Sequence, residues 1–371
     1  MSQPRRQTER IDPKSAEDPR DVVHRTVASL VHGELIALST ESLHGFAAGG
    51  PGEIAGSKLL DFDPSAARLT LLLRGAGELS DWATIKSAAV DRLTRRAWPG
   101  PVTFLFPVPE GPSLFSRLPS RIRSWIVESG RLALQVPSDP FVREVLKLQP
   151  GPLVFRSLGP SVAQPLEALA SERGIELLID SMAGMPSEIP TVVQVSDEGW
   201  AIESPGAIDK ASLIRMAGTI LVFVCTGNTC RSPMAEALCK LLLARRLGCS
   251  IAALEERGYV VLSAGIAAHT GTPAAANAVD VIRDRGGSLR DHQSRKLTLD
   301  LVRFADHIVA MTNEHRDAVI ECAPDARLRT RLLHPDGEDV DDPIGSDRET
   351  YQRTARAIEA YLERFLDSLG V

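Results

Sequence analysis

The run Leu221-Val-Phe-Val-Cys-Thr-Gly-Asn-Thr-Cys-Arg-Ser-Pro233 constrains this chain more than any other segment. Four apolar residues of strand length lead into Cys225, and a short polar loop, Thr226 to Cys230, ends at Arg231, Ser232 and Pro233. Proline is favoured in the first helical turn because its missing N–H had no intrahelical partner to lose. The run therefore reads as buried strand, tight loop, helix start. In such a turn successive backbone amides point inward, and the helix N-terminus adds positive potential, so the loop is shaped for an anion. Gly227 is expected to let the backbone approach a ligand or take a positive φ.

A thiol placed in that field is favoured as the thiolate. Ser232 can add a hydrogen bond to the sulfur, and Arg231 can grip two phosphate oxygens with its planar fork. The chemistry that needs this set is in-line attack of Cys225 on phosphorus, a phosphocysteine intermediate and hydrolysis by water. A general acid for the leaving group is sought among turn carboxylates. Asp342, before Pro343, is the first candidate, with Asp341 and Asp339 as rivals.

The remainder sets the frame. A chain of 371 residues exceeds one ordinary core, so two domains are expected. A net charge of −6 argues against a general nucleic-acid binder. All five cysteines lie at or beyond Cys225, an odd count that makes a poor disulfide scaffold. No apolar run reaches bilayer length and the first residues lack a secretion-signal core, so no membrane partner and a cytoplasmic location are expected.

Residues 1–20 read as a disordered arm, 21–210 as a first α/β domain, 211–218 as a linker and 219–371 as a second. In the first, strands are expected at 34–38, 69–73, 102–106, 132–136 and 190–195, and helices at 22–32, 83–96, 139–147 and 163–173, which makes a twisted mixed sheet. In the second, strands at 220–224, 260–263, 308–311 and 331–334 alternate with helices at 233–247, 273–285, 314–322 and 348–369. That alternation implies a doubly wound parallel sheet with its site at the strand carboxyl ends. The last helix carries Tyr351, Ala355, Ile358, Leu362, Phe365 and Leu369 as one apolar stripe.

The segment from Val224 to Glu236, together with Ser263-Ala-Gly265, His292-Gln-Ser-Arg295, the run 305–311 and Asp342-Pro343, resembles the low-molecular-weight protein tyrosine phosphatases in order and over the whole second domain. The resemblance implies Cys225 as nucleophile, Arg231 as phosphate clamp and Asp342 as acid. Thr226, Gly227, Asn228, Thr229, Cys230 and Ser232 form its phosphate loop, Asn228 and Ser232 order that loop, and Cys230 is a redox partner able to form a reversible disulfide with Cys225. Neither metal nor cofactor is implied, and the substrate is a phosphorylated protein or peptide. Thr229 stands where tyrosine-directed members usually carry a larger aliphatic residue, and a threonine there resembles the bacterial protein arginine phosphatases; Ile344-Gly345 lacks the tyrosines that flank a phosphotyrosine ring in eukaryotic members, so phosphoarginine is expected ahead of phosphotyrosine. Arsenate reduction is a weaker alternative, because no cysteine lies between Cys249 and Cys322 to relay oxidation.

In the first domain, residues 33–48, the run 98–103, Gln135-Val-Pro137, Pro190-Thr-Val-Val193 and Pro205-Gly-Ala-Ile208 resemble threonylcarbamoyl-adenylate synthases, a tRNA-modification family. That family implies a groove for ATP, threonine and bicarbonate. Thr40, Glu41, His44, Ser157 and Thr191 are the groove candidates. The family's basic and polar residues are replaced here by Gln135, Gly159, Pro190 and Ser204, and Lys58 is a poor counterpart of its lysine. Losing several charge-assisted contacts, each worth about 1.5–3 kcal/mol, should abolish tight ATP binding. A repurposed module for a nucleotide, RNA or protein is expected. The alternative is an active synthase, with ATP and Mg bound through relocated cations such as Arg74, Arg121, Arg123 or Arg156.

Overall fold

The computed structural model describes residues 8–40, 42–50, 57–59, 69–118, 120–158, 164–181 and 189–371. The chain divides into two compact units, Met1–Met216 and Ala217–Val371.

The first unit is a mixed α/β fold on one large sheet. Its strands are β1 (Glu9–Ile11), β2 (Leu35–Ser39), β3 (His44–Gly49), β4 (Leu69–Leu72), β5 (Val102–Pro107), β6 (Val127–Glu128), β7 (Arg131–Gln135), β8 (Leu153–Ser157), β9 (Leu177–Asp180), β10 (Thr191–Val195) and β11 (Trp200–Ser204). They run in the order β1-β9-β2-β3-β8-β4-β7-β5-β10-β11, with β6 on β7. One face buries Ile36, Leu38, Leu153, Phe155 and Ile179 against the helices Pro19–Val31 and Pro140–Leu148. Each helix starts where the sequence allows: Asp18 and Asp139 cap the N-termini and a proline occupies the first turn.

Two expectations are corrected here. Glu9–Ile11, inside the arm expected to lack structure, pairs in parallel with Leu177–Ile179, and Arg10 forms ion pairs with Asp180 and Glu167. Its polar composition hid a strand whose partner lies far along the chain. The expected linker is the helix Lys210–Ala217, held to its own unit by Arg96 Nη1 donating to the Met216 carbonyl at 2.7 Å.

The second unit is also α/β. Its strands β12 (Thr219–Cys225), β13 (Tyr259–Gly265), β14 (His307–Ala310) and β15 (Thr330–Leu332) run in the order β13-β12-β14-β15, and every pair is parallel. Alternation along β12 places Leu221, Phe223 and Cys225 on one face and Val222 and Val224 on the other. The first face packs on the helices Arg231–Arg246, Ala276–Arg283 and Arg348–Ser368. The second packs on Leu299–Phe304 and Asn313–Cys322. A strand buried on both faces must be apolar throughout, which is why 221–224 carries no polar residue. Cys225 ends the central strand pair, where β12 hands the chain to the next helix.

Candidate active site

Between Cys225 and Arg231 the chain turns back around its own sulfur. Asn228 N–H donates to Cys225 Sγ at 3.2 Å, and Ser232 Oγ lies 2.9 Å from the same sulfur. Asn228 Nδ2 donates to Ser232 Oγ at 3.0 Å. The serine hydrogen is therefore left to the sulfur or to the Ala264 carbonyl, and at 3.5 Å the carbonyl is the poorer acceptor. Both groups are thus aimed at the sulfur. No side chain caps the helix that starts at Arg231, so its first amides have no side-chain acceptor from the cap residue.

Asn228 is the centre of the arrangement. It is fully buried, with φ of 55°. Its Nδ2 also donates to Ser263 Oγ at 2.8 Å, its Oδ1 accepts from Arg295 N–H at 2.9 Å, and its carbonyl meets His292 Nε2 at 2.8 Å. Ser263 Oγ in turn donates to Glu236 Oε2 at 2.6 Å, and Lys240 holds the other oxygen of that carboxylate. The positive φ expected of Gly227 thus belongs to Asn228, whose short polar side chain tolerates it. A Cβ on Gly227 would meet only Thr229 Oγ1, at 3.6 Å, whereas one on Gly265 would lie 2.4 Å from the Thr226 carbonyl. Gly265 is the glycine that close approach requires, because the end of β13 backs directly onto the loop.

Arg231 is buried; its Nη1 donates to the Val340 carbonyl at 3.1 Å and its Nη2 pairs with Asp342. Of the three rival carboxylates, Asp342 is thereby the one brought to the loop. Asp339 instead accepts from Asn313 N–H at 2.7 Å, and the Asn313 bonds hold its carboxyl below the usual range. Asp341 is exposed.

Thr226 does not face the loop centre. Its Oγ1 lies 2.8 Å from His315 Nε2, and Thr312 Oγ1 lies 2.7 Å from the other ring nitrogen. Burial, and then the Arg231 charge, hold His315 below the usual histidine range. Cys230 Sγ contacts the Tyr351 hydroxyl at 3.1 Å, and burial followed by that hydrogen bond pushes the phenol up. Cys239, one face of the helix further on, is fully buried, and desolvation pushes its thiol well up.

Residues 220–371 match the family model described as low molecular weight phosphotyrosine protein phosphatase. A protein-arginine-phosphatase of Geobacillus stearothermophilus is 34% identical over 157 residues, covering 40% of this chain and 95% of the relative. The chain belongs to the low molecular weight phosphatase family. A second protein-arginine-phosphatase, from Bacillus subtilis (strain 168), is 35% identical over 155 residues, covering 40% of this chain and 95% of that protein. The low molecular weight protein-tyrosine-phosphatase Etp of Escherichia coli (strain K12) is 35% identical over 141 residues, covering 38% of this chain and 86% of that protein. Residues 28–205 match the model described as telomere recombination, the Sua5/YciO/YrdC group. This phosphatase is therefore fused to a domain like the threonylcarbamoyl-adenylate synthases.

Of the groove candidates in the fused unit, the structure gathers few. Thr40 is buried and closes its own turn, its Oγ1 accepting from Leu43 N–H at 3.0 Å. Thr191 is buried and exchanges two 2.9 Å hydrogen bonds with Ile208, pinning the segment after Pro205-Gly206. It lies on β10, five strands from β3 in the sheet order. Glu41 lies outside the described residues. His44 and Ser157 are on the adjacent strands β3 and β8. His44 lines a pocket of about 200 Å³ with Arg10, Ser39 and Asp180. Burial holds its ring below the usual range.

Where the resemblance calls for a phosphate-binding arginine, the chain carries Gln135. Gln135 is buried with Oε1 accepting from Thr103, and its Nε2 has no partner among the described residues. Arg156 is buried and donates to the Leu59 carbonyl at 3.1 Å, and Arg74 pairs with its neighbour Glu78. Of the relocated cations expected of an active synthase, Arg74 and Arg156 thus have partners within their own unit. In the phosphatase unit the sequence reading named segments holding Ser263, His292 and Glu236 without giving those side chains a role, and it did not single out His315. Each looks unremarkable in its own segment and acts only through the loop.

Among the described residues no helix is long and apolar enough to cross a membrane.

Proposed function

We propose that this chain hydrolyses phosphoarginine on protein substrates through Cys225, with residues 219–371 as the catalytic module. The observation that carries the phosphatase reading is the sulfur of Cys225 receiving Asn228 N–H and facing the Ser232 hydroxyl, with Arg231 and Asp342 paired at the same loop.

A phosphate entering the loop competes with Asp342 for Arg231, whose fork then holds two equatorial oxygens. The Cys225 thiolate attacks phosphorus as the bond to the leaving group breaks. Asp342, released and protonated, gives its proton to the departing nitrogen, so the leaving guanidine departs neutral. In the second step Asp342 takes a proton from water, the new oxygen–phosphorus bond forms and the sulfur–phosphorus bond breaks, regenerating the thiolate. Thr229 supports arginine over tyrosine: it is small and polar, and its Oγ1 sits 3.7 Å from Cys230 Sγ rather than projecting an aliphatic wall. The two arginine phosphatase relatives support the same reading.

Phosphotyrosine is the second reading, favoured by the equal identity to Etp. Kinetics on paired phosphoarginine and phosphotyrosine peptides decide between them. Wild type should prefer phosphoarginine, Thr229→Ile should shift preference toward phosphotyrosine, and Cys225→Ser should turn over neither. Equal preference in wild type and Thr229→Ile would remove the case for arginine.

Under oxidation Cys230 is read as the partner of Cys225, which requires it to leave Tyr351. For residues 21–210 we read a binding module for a nucleotide, RNA or protein, supported by the buried Gln135 amide where a phosphate-binding cation would be needed. Pyrophosphate release that depends on ATP, threonine and bicarbonate would overturn that reading. The free thiols at all five cysteines agree with a cytoplasmic setting.

A further inference from the structure

At the β15 edge of the sheet a pocket of about 530 Å³ opens between β15, the segment that follows it and the C-terminal half of the helix Arg348–Ser368, with Arg316 of the helix Asn313–Cys322 also lining it. Its size suits a small ligand. Arg331, on the strand, has its guanidinium 4.7 Å above the Phe365 ring. Its other contacts are neutral: Ser368 Oγ at 3.2 Å and His307 Nδ1 at 3.3 Å. No carboxylate among the described residues lies within ion-pair distance of it. A half-buried cation without a counter-charge is costly to the folded state and is a candidate for an anion that compensates it.

Three further donors lie on the same pocket: Arg316, Arg364 and His334. Asp336 N–H donates to His334 Nδ1 at 3.2 Å, so the neutral ring carries its proton on Nε2 and presents a donor. The carboxylates nearby are exposed and loosely engaged: Asp336 lies 4.0 Å from Arg364 and Glu338 lies 3.7 Å from His334. Asp317 takes Arg316 at 2.8 Å. The rim cations are thus already partly neutralised, and Arg331 at the floor is not.

We propose that this pocket binds a phosphate-class dianion, gripped by the Arg331 fork and by donors from Arg364 and His334. A planar fork backed by an aromatic ring is suited to an oxyanion with paired oxygens. From His334 the chain runs on to Val340 and Asp342, the two partners of Arg231, so an occupied pocket anchors the start of the segment that carries the acid.

The test is equilibrium dialysis of the full-length chain with labelled inorganic phosphate. Arg231→Ala serves as background to weaken the cysteine loop. That variant should retain about one phosphate per chain, and adding Arg331→Gln should weaken this binding at least tenfold. Adding Arg364→Gln, a surface change that leaves the fold intact by circular dichroism, should weaken it a few-fold. Phosphate binding that is absent in Arg231→Ala, or indifferent to both added changes, would overturn the proposal. So would displacement by an unphosphorylated aspartate-rich peptide as effectively as by a phosphoserine peptide. Displacement by the phosphoserine peptide alone assigns the dianion to a phosphoprotein; displacement by neither peptide assigns it to free phosphate or a small ester.

Discussion

Replacing Asn228 by alanine should disable the phosphatase while barely touching any atom that meets the substrate. The side chain makes three hydrogen bonds, from Nδ2 to Ser232 and Ser263 and to Oδ1 from Arg295 N–H, at 2.8–3.0 Å and with no solvent exposure. Each is worth about 1 kcal/mol net, and partners left unsatisfied in the interior cost about 1–3 kcal/mol more. Alanine at φ 55° adds about 1 kcal/mol of backbone strain. The sum is roughly 5–7 kcal/mol, a large part of a domain's typical stability. Asn228→Gly removes the strain but not the lost bonds, so it should recover only about 1 kcal/mol. Asn228→Asp keeps the acceptor for Arg295, loses both donors and sets a carboxylate beside the sulfur, so it should be folded better than alanine yet less active. The four tryptophans, at 82, 98, 125 and 200, all lie in the first unit. Unfolding of the phosphatase unit must therefore be followed by circular dichroism alongside the signals of Tyr259, Tyr351 and Tyr361, the three tyrosines, all in that unit, with p-nitrophenyl phosphate turnover measured separately without urea. Stability within 1 kcal/mol of wild type and an unchanged kcat for Asn228→Ala would refute the view that this residue organises the loop.

Other consequences are as direct. Gly265→Ala forces its Cβ against the Thr226 carbonyl, 2.4 Å away, and should lower kcat at least tenfold with little change in the far-ultraviolet spectrum. Because the folded pKa of His315 is lowered, the unfolded chain binds the extra proton more readily. The stability it contributes is complete above the ordinary histidine value near 6.5 and is lost as pH falls through the lowered folded value. Urea titrations between pH 7.5 and 5 should show that loss in wild type, limited to about 1.4 kcal/mol per pH unit for one proton, and a flatter profile in His315→Gln. Tyr351→Phe removes the hydroxyl that faces Cys230; peroxide inactivation should become faster and remain reversible by dithiothreitol, and an unchanged rate would mean that this contact does not restrain the thiol.

Much of the phosphatase unit was legible before any coordinates, because its elements are locally encoded. Residues 221–224 are apolar on both faces because that strand is buried on both, and the stripe from Tyr351 to Phe365 lies buried as its spacing required. Cys225, Arg231 and Ser232 fall within one turn of chain, so sequence distance already implied spatial distance. The first unit was harder to read. Strands β1, β3, β6, β8, β9 and β11 were missed: β1 and β6 are short and carry charged side chains, β3 and β11 return antiparallel to expected strands, and β8 and β9 are short runs with partners far along the chain. For Thr40 and Thr191, expected in a groove, nothing in the sequence signalled that their hydroxyls hold a turn and a returning segment.

The sulfur proposed to react, the guanidinium beside it and the tight loop between them were therefore placed together by the sequence alone, since one short covalent path holds all three. Which of three neighbouring aspartates reaches Arg231, which residue takes the strained φ, and that Ser263, His292 and His315 serve the loop were decided only by tertiary structure. Those groups come from separate strands and turns, and only the packing of helices on both faces of the parallel sheet brings them to one end of it.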